Sequence, residues 1–191
     1  MKKATFIQVG LLSTCEYSYL ATGASPPRSI HEIPVKADNW DYFGVEVNPF
    51  FISNLLEYNK HRNVNIICAG ISEESKLIRV DEASNIILVP CITLNNFIDE
   101  LILNHNVENI GGIYLDIEGA EYNIIKNYEF KHKPPFFGVE VHGREVNPGI
   151  SKRSYSERGE DIKEIFFKNG YKLHLEKVTN ANRTLELQFI L

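Results

Sequence analysis

The stretch Gly112-Ile113-Tyr114-Leu115-Asp116-Ile117-Glu118-Gly119-Ala120-Glu121 decides the fold. Its first half is an apolar run the length of one strand, and its second half is acidic and turns on a glycine. An apolar run of this kind suits a strand covered on both faces. Gly112 to Ile117 is therefore a predicted strand, and Ala120 to Asn127 a short predicted helix. On a strand, the two-residue spacing would point Asp116 and Glu118 to the same face. Gly119 permits a sharp turn into the helix. Glu121 falls in the first helical turn, where a negative charge suits the positive end of the helix dipole.

Working outward, the same alternation of apolar runs and helical patterns recurs, which is the signature of βαβ units around a parallel sheet. Toward the N-terminus, Ala4 to Val9, Tyr42 to Val47 and Val64 to Ile71 read as the first three strands. The third is apolar almost throughout, as expected of a strand covered on both faces. Asn48 can cap a helix that begins at Pro49 and carries Phe51, Ile52, Leu55 and Leu56 on one face, with His61 and Arg62 closing it. Leu77 to Val80 and Ile86 to Val89 form a short excursion hairpin. Leu94, Phe97, Ile98, Leu101 and Ile102 then repeat at helical spacing.

Toward the C-terminus, Pro134-Pro135 opens a fifth strand, Phe136 to Val141, and Glu160 to Asn169 is a predicted helix ending at Gly170. Tyr171 to Lys177 and Thr184 to Leu191 alternate apolar and polar around a turn at Thr179 to Asn182, so an antiparallel hairpin is expected at one sheet edge. The predicted fold is α/β: a doubly wound, Rossmann-like sheet, mostly parallel, with a C-terminal antiparallel hairpin, in one domain spanning 1–191. Ala21 to Asp41, with Pro26, Pro27 and Pro34, fits no element and reads as an irregular insertion or a lid.

The composition agrees with this class and excludes others. At 191 residues, 43% hydrophobic and 24% charged, the chain has the make-up of a globular domain. A net charge of −5 argues against phosphate-backbone binding, and Lys152, Arg153 and Arg158, the one basic grouping, read as a solvated charged loop. Cys15, Cys68 and Cys91 are far apart and odd in number, with neither metal-ligand nor disulfide spacing. The apolar run after Met1-Lys2-Lys3 is too short for a secretion signal, and nothing is long enough to cross a bilayer. The cytoplasm is the expected compartment.

Open parallel sheets bind ligands beyond the carboxyl ends of their strands. The polar residues at those ends are Gln8 and Gly10, Glu46 and Asn48, Gly70 and Ser72, Asp116 and Glu118, and Glu140 and His142. Acids at the ends of buried strands cost desolvation unless something pairs with them, so their density points to a site. Glu46 can accept both hydroxyls of a ribose, and Gly10 lets the backbone approach a ligand. Asp116, Glu118, Glu140 and His142 suit either a divalent metal or a histidine base supported by carboxylates.

Leu115 to Glu121 resembles the Asp-aliphatic-Glu-Gly-Ala-Glu signature of the FkbM family of S-adenosylmethionine-dependent methyltransferases. Gly44 to Pro49, Ile92 to Ile98, Val139 to His142 and Asn169 to Tyr171 resemble further segments of that family in the same order. The resemblance implies a Rossmann-like methyltransferase fold, S-adenosylmethionine as cofactor, and O-methylation of a sugar or other small hydroxylated metabolite. By position it implies Gln8 and Gly10 at the methionine end, Glu46 at the ribose, and Gly70 to Ser72 beside the adenine, with Asn48 a further cofactor-binding candidate. Asp116 would face the cofactor or the acceptor, with Glu118, Glu140 and His142 near the acceptor. Gln8 to Thr14 departs from the family's first loop, keeping one glycine and lacking its acid.

The reading adopted is a methyltransferase acting on a small hydroxylated acceptor. Asp116, Glu118, Glu140 and His142 are its catalytic candidates, no metal is assigned, and neither nucleic acid nor membrane is a partner. Two alternatives stand beside it: a binding or scaffolding module that keeps only the fold, and a metal-assisted hydrolase.

Overall fold

A computed structural model describes residues 3–10, 39–60, 64–82, 85–146, 148–149, 152–179 and 183–191. Its centre is a seven-stranded sheet in the order β3-β2-β1-β7-β8-β10-β9. Strands β1 (Lys3–Val9), β2 (Asn39–Glu46), β3 (Val64–Cys68), β7 (Ile110–Leu115) and β8 (Phe136–His142) run parallel. The terminal hairpin, β9 (Lys172–Thr179) and β10 (Thr184–Ile190), adds two antiparallel strands, with β10 hydrogen-bonded to β8. The strand order reverses between β1 and β7, and there the chain leaves a crevice above the strand ends.

Helices cover both faces. Helices α2 (Leu94–Asn104), α3 (Glu121–Lys126) and α4 (Tyr155–Lys168) bury Phe97, Ile98, Ile124, Ile125, Ile162 and Phe166 against Ile7, Val45, Ile113 and Val139. Helix α1 (Pro49–Asn59) packs Leu55 against Tyr42, Val64 and Ile66 on the other face. It starts where the sequence predicts: the Asn48 Oδ1 accepts from the Phe50 amide at 3.0 Å, and Pro49 needs no donor in the first turn. His61 and Arg62 lie outside the described residues, as do 11–38, which hold most of the expected insertion. Its last residues, Asn39 to Asp41, are the start of β2 rather than irregular chain.

Three further expectations change. Val64 to Ile71 is not one strand. The chain breaks at Ala69, whose amide donates to the Glu46 carbonyl at 3.1 Å, and β4 (Gly70–Ser72) leaves for a second sheet of order β4-β6-β5. Gly70 makes this possible, because a Cβ there would lie 2.2 Å from the Cys91 Sγ on β6. β3 is consequently an edge strand, only partly buried, so its apolar run does not reflect cover on both faces. The excursion hairpin is β5 (Lys76–Glu82) with β6 (Asn85–Thr93).

Helix α4 begins five residues before the predicted Glu160. Ser154 and Glu157 form a reciprocal capping box, with Glu157 N donating to Ser154 Oγ at 3.1 Å and Ser154 N to Glu157 Oε2 at 2.7 Å. Finally, β10 alternates in polarity but is buried along both faces. Of the hairpin only β9 is an edge strand, and within β10 Gln188 Nε2 donates to Glu186 Oε1 at 2.7 Å. Among the described residues no helix is long and apolar enough to cross a membrane.

Candidate functional site

The segment after β7 is built as a tight turn. The Asp116 amide donates to the Val9 carbonyl at 2.9 Å, which pins the end of β7 to β1. Gly10 sits at φ +88°, and a Cβ there would stand 1.6 Å from the Asp116 carbonyl oxygen. The sequence reading gave this glycine to the ligand; its first duty is to let two strand ends meet. Glu118 at φ +55° and Gly119 at φ +115° then reverse the chain. A non-glycine residue in the left-handed region costs on the order of 1 kcal/mol, which neighbouring bonds must offset.

Glu121 supplies those bonds. Fully buried, its Oε1 accepts from the amides of Ile117 at 3.1 Å and Gly119 at 2.9 Å, and contacts His142 Nδ1 at 2.8 Å. It is more than a helix-dipole residue: it ties the turn to β8. Arg158 ties both to α4. It is buried, not part of a solvated loop, and donates to the His142 carbonyl at 2.5 Å and the Gly119 carbonyl at 2.6 Å. Arg153 pairs instead with Asp161. The sequence reading assigned neither Glu121 nor Arg158 to the site. The Glu-Gly-Ala-Glu spacing signals the first; nothing local signals the second.

Strand β7 ends at Leu115, so Asp116 and Glu118 share no strand face. The turn nevertheless brings both toward one atom: Asp116 Oδ1 lies 3.7 Å and Glu118 Oε2 3.8 Å from His142 Nε2. Side-chain exposure is 3% for His142, 9% for Asp116 and 51% for Glu118. The amides already bound to Glu121 Oε1 make it an acceptor, so Nδ1 carries hydrogen and Nε2 faces the two acids. Burial opposes the imidazolium, but the Glu121 hydrogen bond and the charges of Glu121, Asp116 and Glu118 outweigh it and hold His142 at about 9. Burial, followed by the charge of Glu140, pushes the Asp116 carboxyl well above the usual carboxylate range; the His142 charge works against them.

Glu140 stands apart from this group. Its Oε1 accepts from Thr184 Oγ1 at 2.7 Å on β10, and it acts on Asp116 through charge. On the other side of the turn lies a cavity of about 300 Å³, mostly apolar, between the ends of β1 and β2 and the second sheet. Gly10, Gly70 and Ser72 line it, together with Val47 and the turn residues Ile117 and Gly119. Gln8, Glu46, Asn48 and Asp116 are not in its lining. Gln8 is buried at the end of β1. Glu46 Oε1 accepts from the Asn48 amide at 2.7 Å, and the Asn48 side chain is the α1 cap. The excursion hairpin, to which the sequence reading gave no role, walls the cavity with Ile78 and Cys91.

The family model of the methyltransferase FkbM domain matches residues 57–173. No curated protein sequence matches the chain. Among solved structures, the fold is similar to the Methanococcus jannaschii fibrillarin pre-rRNA processing protein, with a TM-score of 0.58 at 18% identity, covering 98% of this chain and 66% of that one. It is also similar to Aeropyrum pernix fibrillarin with natively bound S-adenosyl-L-methionine (TM-score 0.53, 13% identity, 98% and 66% covered). A third is M. capricolum TrmK in complex with S-adenosyl-homocysteine (TM-score 0.53, 10% identity, 98% and 62% covered). The chain thus spans just under two thirds of the length of these three structures.

Proposed function

The chain belongs to the FkbM methyltransferase domain family, whose cofactor is S-adenosylmethionine, and on that premise we propose that it is a cytoplasmic O-methyltransferase of a small hydroxylated acceptor. One observation carries the reading. A single turn, Asp116 to Gly119, offers Ile117 and Gly119 to the apolar cavity on one side and Asp116 and Glu118 to the buried imidazole on the other. Donor and acceptor sites that share one rigid turn are held in register for an in-line transfer, and positioning is a large part of such catalysis.

The cavity fits the nucleoside part of the cofactor. Its volume and apolar walls suit a flat ring system, and glycines at 10 and 70 keep the backbone close. Glu46, at the end of β2, suits the ribose hydroxyls through the two oxygens of its carboxylate. When bound, the cofactor supplies an activated methyl group. The acceptor hydroxyl docks against Asp116 and His142 and gives its proton to this pair. Asp116, set 3.7 Å from the His142 ring at the acceptor mouth, is the proton acceptor of the pair. Gln8, buried beneath the strand ends, supports the methionine end of the site.

A small acceptor suits the electrostatics, since the acids at the mouth repel a phosphate backbone. The test uses the purified chain, a methyl-labelled donor, and separate pools of hydroxylated metabolites and RNA. Label in an alkali-stable ether of a small molecule is expected. Label in RNA alone, or in neither pool, contradicts the reading.

A further inference from the structure

We propose that Asp116, Glu118 and His142 Nε2 form a divalent-cation site at the acceptor mouth, with Glu121 orienting the imidazole from behind. The sequence reading assigned no metal here. The three donor atoms lie within 4.8 Å of one another.

The observation that asks for a ligand is Asp116. Its side chain is nine-tenths buried, yet its carboxylate makes no hydrogen bond among the described residues. It aims instead at His142 Nε2, at 3.7 Å, which is beyond hydrogen-bond length. Among the described residues His142 Nε2, on a side chain 3% exposed, has contacts at 3.7 Å with Asp116 and 3.8 Å with Glu118. A nearly buried carboxylate and a nearly buried ring nitrogen that face one space at 3.7 Å, too far for a hydrogen bond, leave room for a third group between them. Of the other buried acids of the site, Glu121 is engaged through Oε1 with two amides and Nδ1, its Oε2 having no partner among the described residues, and Glu140 is engaged with Thr184.

The support behind the imidazole is what a metal-binding histidine needs. Such a ring donates its second N–H to a carboxylate, which fixes the tautomer and the ring plane. Here that carboxylate is Glu121, at 2.8 Å from Nδ1, and it is held in turn by the Ile117 and Gly119 amides. Bonds of about 2.0–2.2 Å to a cation require donor atoms roughly 3–4 Å apart. Both contacts to Nε2 are in that range, and Glu118 is half exposed.

The donor set selects the cation. One imidazole with two carboxylates suits zinc, manganese and cobalt over calcium, which prefers an all-oxygen shell. Three protein ligands leave coordination positions open, as in catalytic rather than structural sites. Resting on the methyltransferase reading, the open position holds the acceptor hydroxyl and lowers its pKa; the cation site itself does not depend on that reading.

The experiment uses tag-free, chelator-treated protein. Zn²⁺ and Mn²⁺ are titrated by calorimetry and Co²⁺ by visible absorption, with S-adenosylhomocysteine titrated in parallel. One equivalent of cation is expected to bind, with affinity reduced at least tenfold in Asp116→Asn and in His142→Gln. Glu108→Gln, on the exposed loop before β7, is expected to bind as the parent does. Circular dichroism establishes that each variant is folded, and the near-isosteric Asp116→Asn keeps the test decisive if His142→Gln is not. Absence of stoichiometric binding by all three ions, or affinity unchanged in Asp116→Asn, overturns the proposal. Cation binding without S-adenosylhomocysteine binding contradicts the methyltransferase reading alone; the reverse contradicts the cation site alone.

Discussion

Gly10 and Glu121 are the two residues on which the site geometry depends most. At Gly10 a methyl group meets the Asp116 carbonyl, and the left-handed φ adds strain. Gly10→Ala should therefore lose at least about 2 kcal/mol of stability, read as a lower urea midpoint. Glu121 governs His142. A histidine whose folded pKa is about 9, above its ordinary value of about 6.5, stabilises the fold fully below that ordinary value and loses this contribution as pH rises through 9. Melting temperature of chelator-treated protein should fall between pH 6.5 and 9, and Glu121→Gln should flatten the fall. An unchanged slope in the variant contradicts the assignment. Asp116, Glu118, Glu140 and His142 were legible as strand-end acids and an imidazole. Their partition was not, because it depends on which hydrogen bonds Glu121 and Thr184 make across distant strands.

At the scale of elements, α4 is coupled to the site through Arg158. Its guanidinium satisfies two buried carbonyls, one on β8 and one in the turn, so Arg158→Ala strands both. A loss of about 3 kcal/mol is expected by denaturant unfolding, together with weaker cation and acceptor binding as the turn loosens. An exposed-arginine effect, under about 0.5 kcal/mol, would contradict the clamp. The elements themselves were largely legible from apolar period, since helices α1 and α2 carry their cap and apolar face in the sequence. The early start of α4 was legible too, in the Ser154 to Glu157 spacing, but the hydrophobic period begins later. The break at Ala69 was not, since an apolar run continues through it and only the contact of Gly70 with Cys91 diverts the chain.

For the whole molecule, alternating apolar runs were enough to read a doubly wound sheet with a terminal hairpin, and the observed order agrees. What they did not reveal is that β10 lies inside the sheet and that the small second sheet forms one wall of the cavity. Both arise from strand pairings between distant residues, which local period does not encode. The account's central claim is that cofactor and acceptor occupy opposite sides of the Asp116 to Gly119 turn. Calorimetric titration of S-adenosylhomocysteine into the parent, Glu46→Ala and His142→Gln proteins tests it most directly. The account predicts binding by the parent, at least tenfold weaker binding by Glu46→Ala, and affinity within about threefold of the parent for His142→Gln, roughly the loss of one charge-assisted hydrogen bond against none. Affinity unchanged by Glu46→Ala, or no binding by the parent, would contradict it.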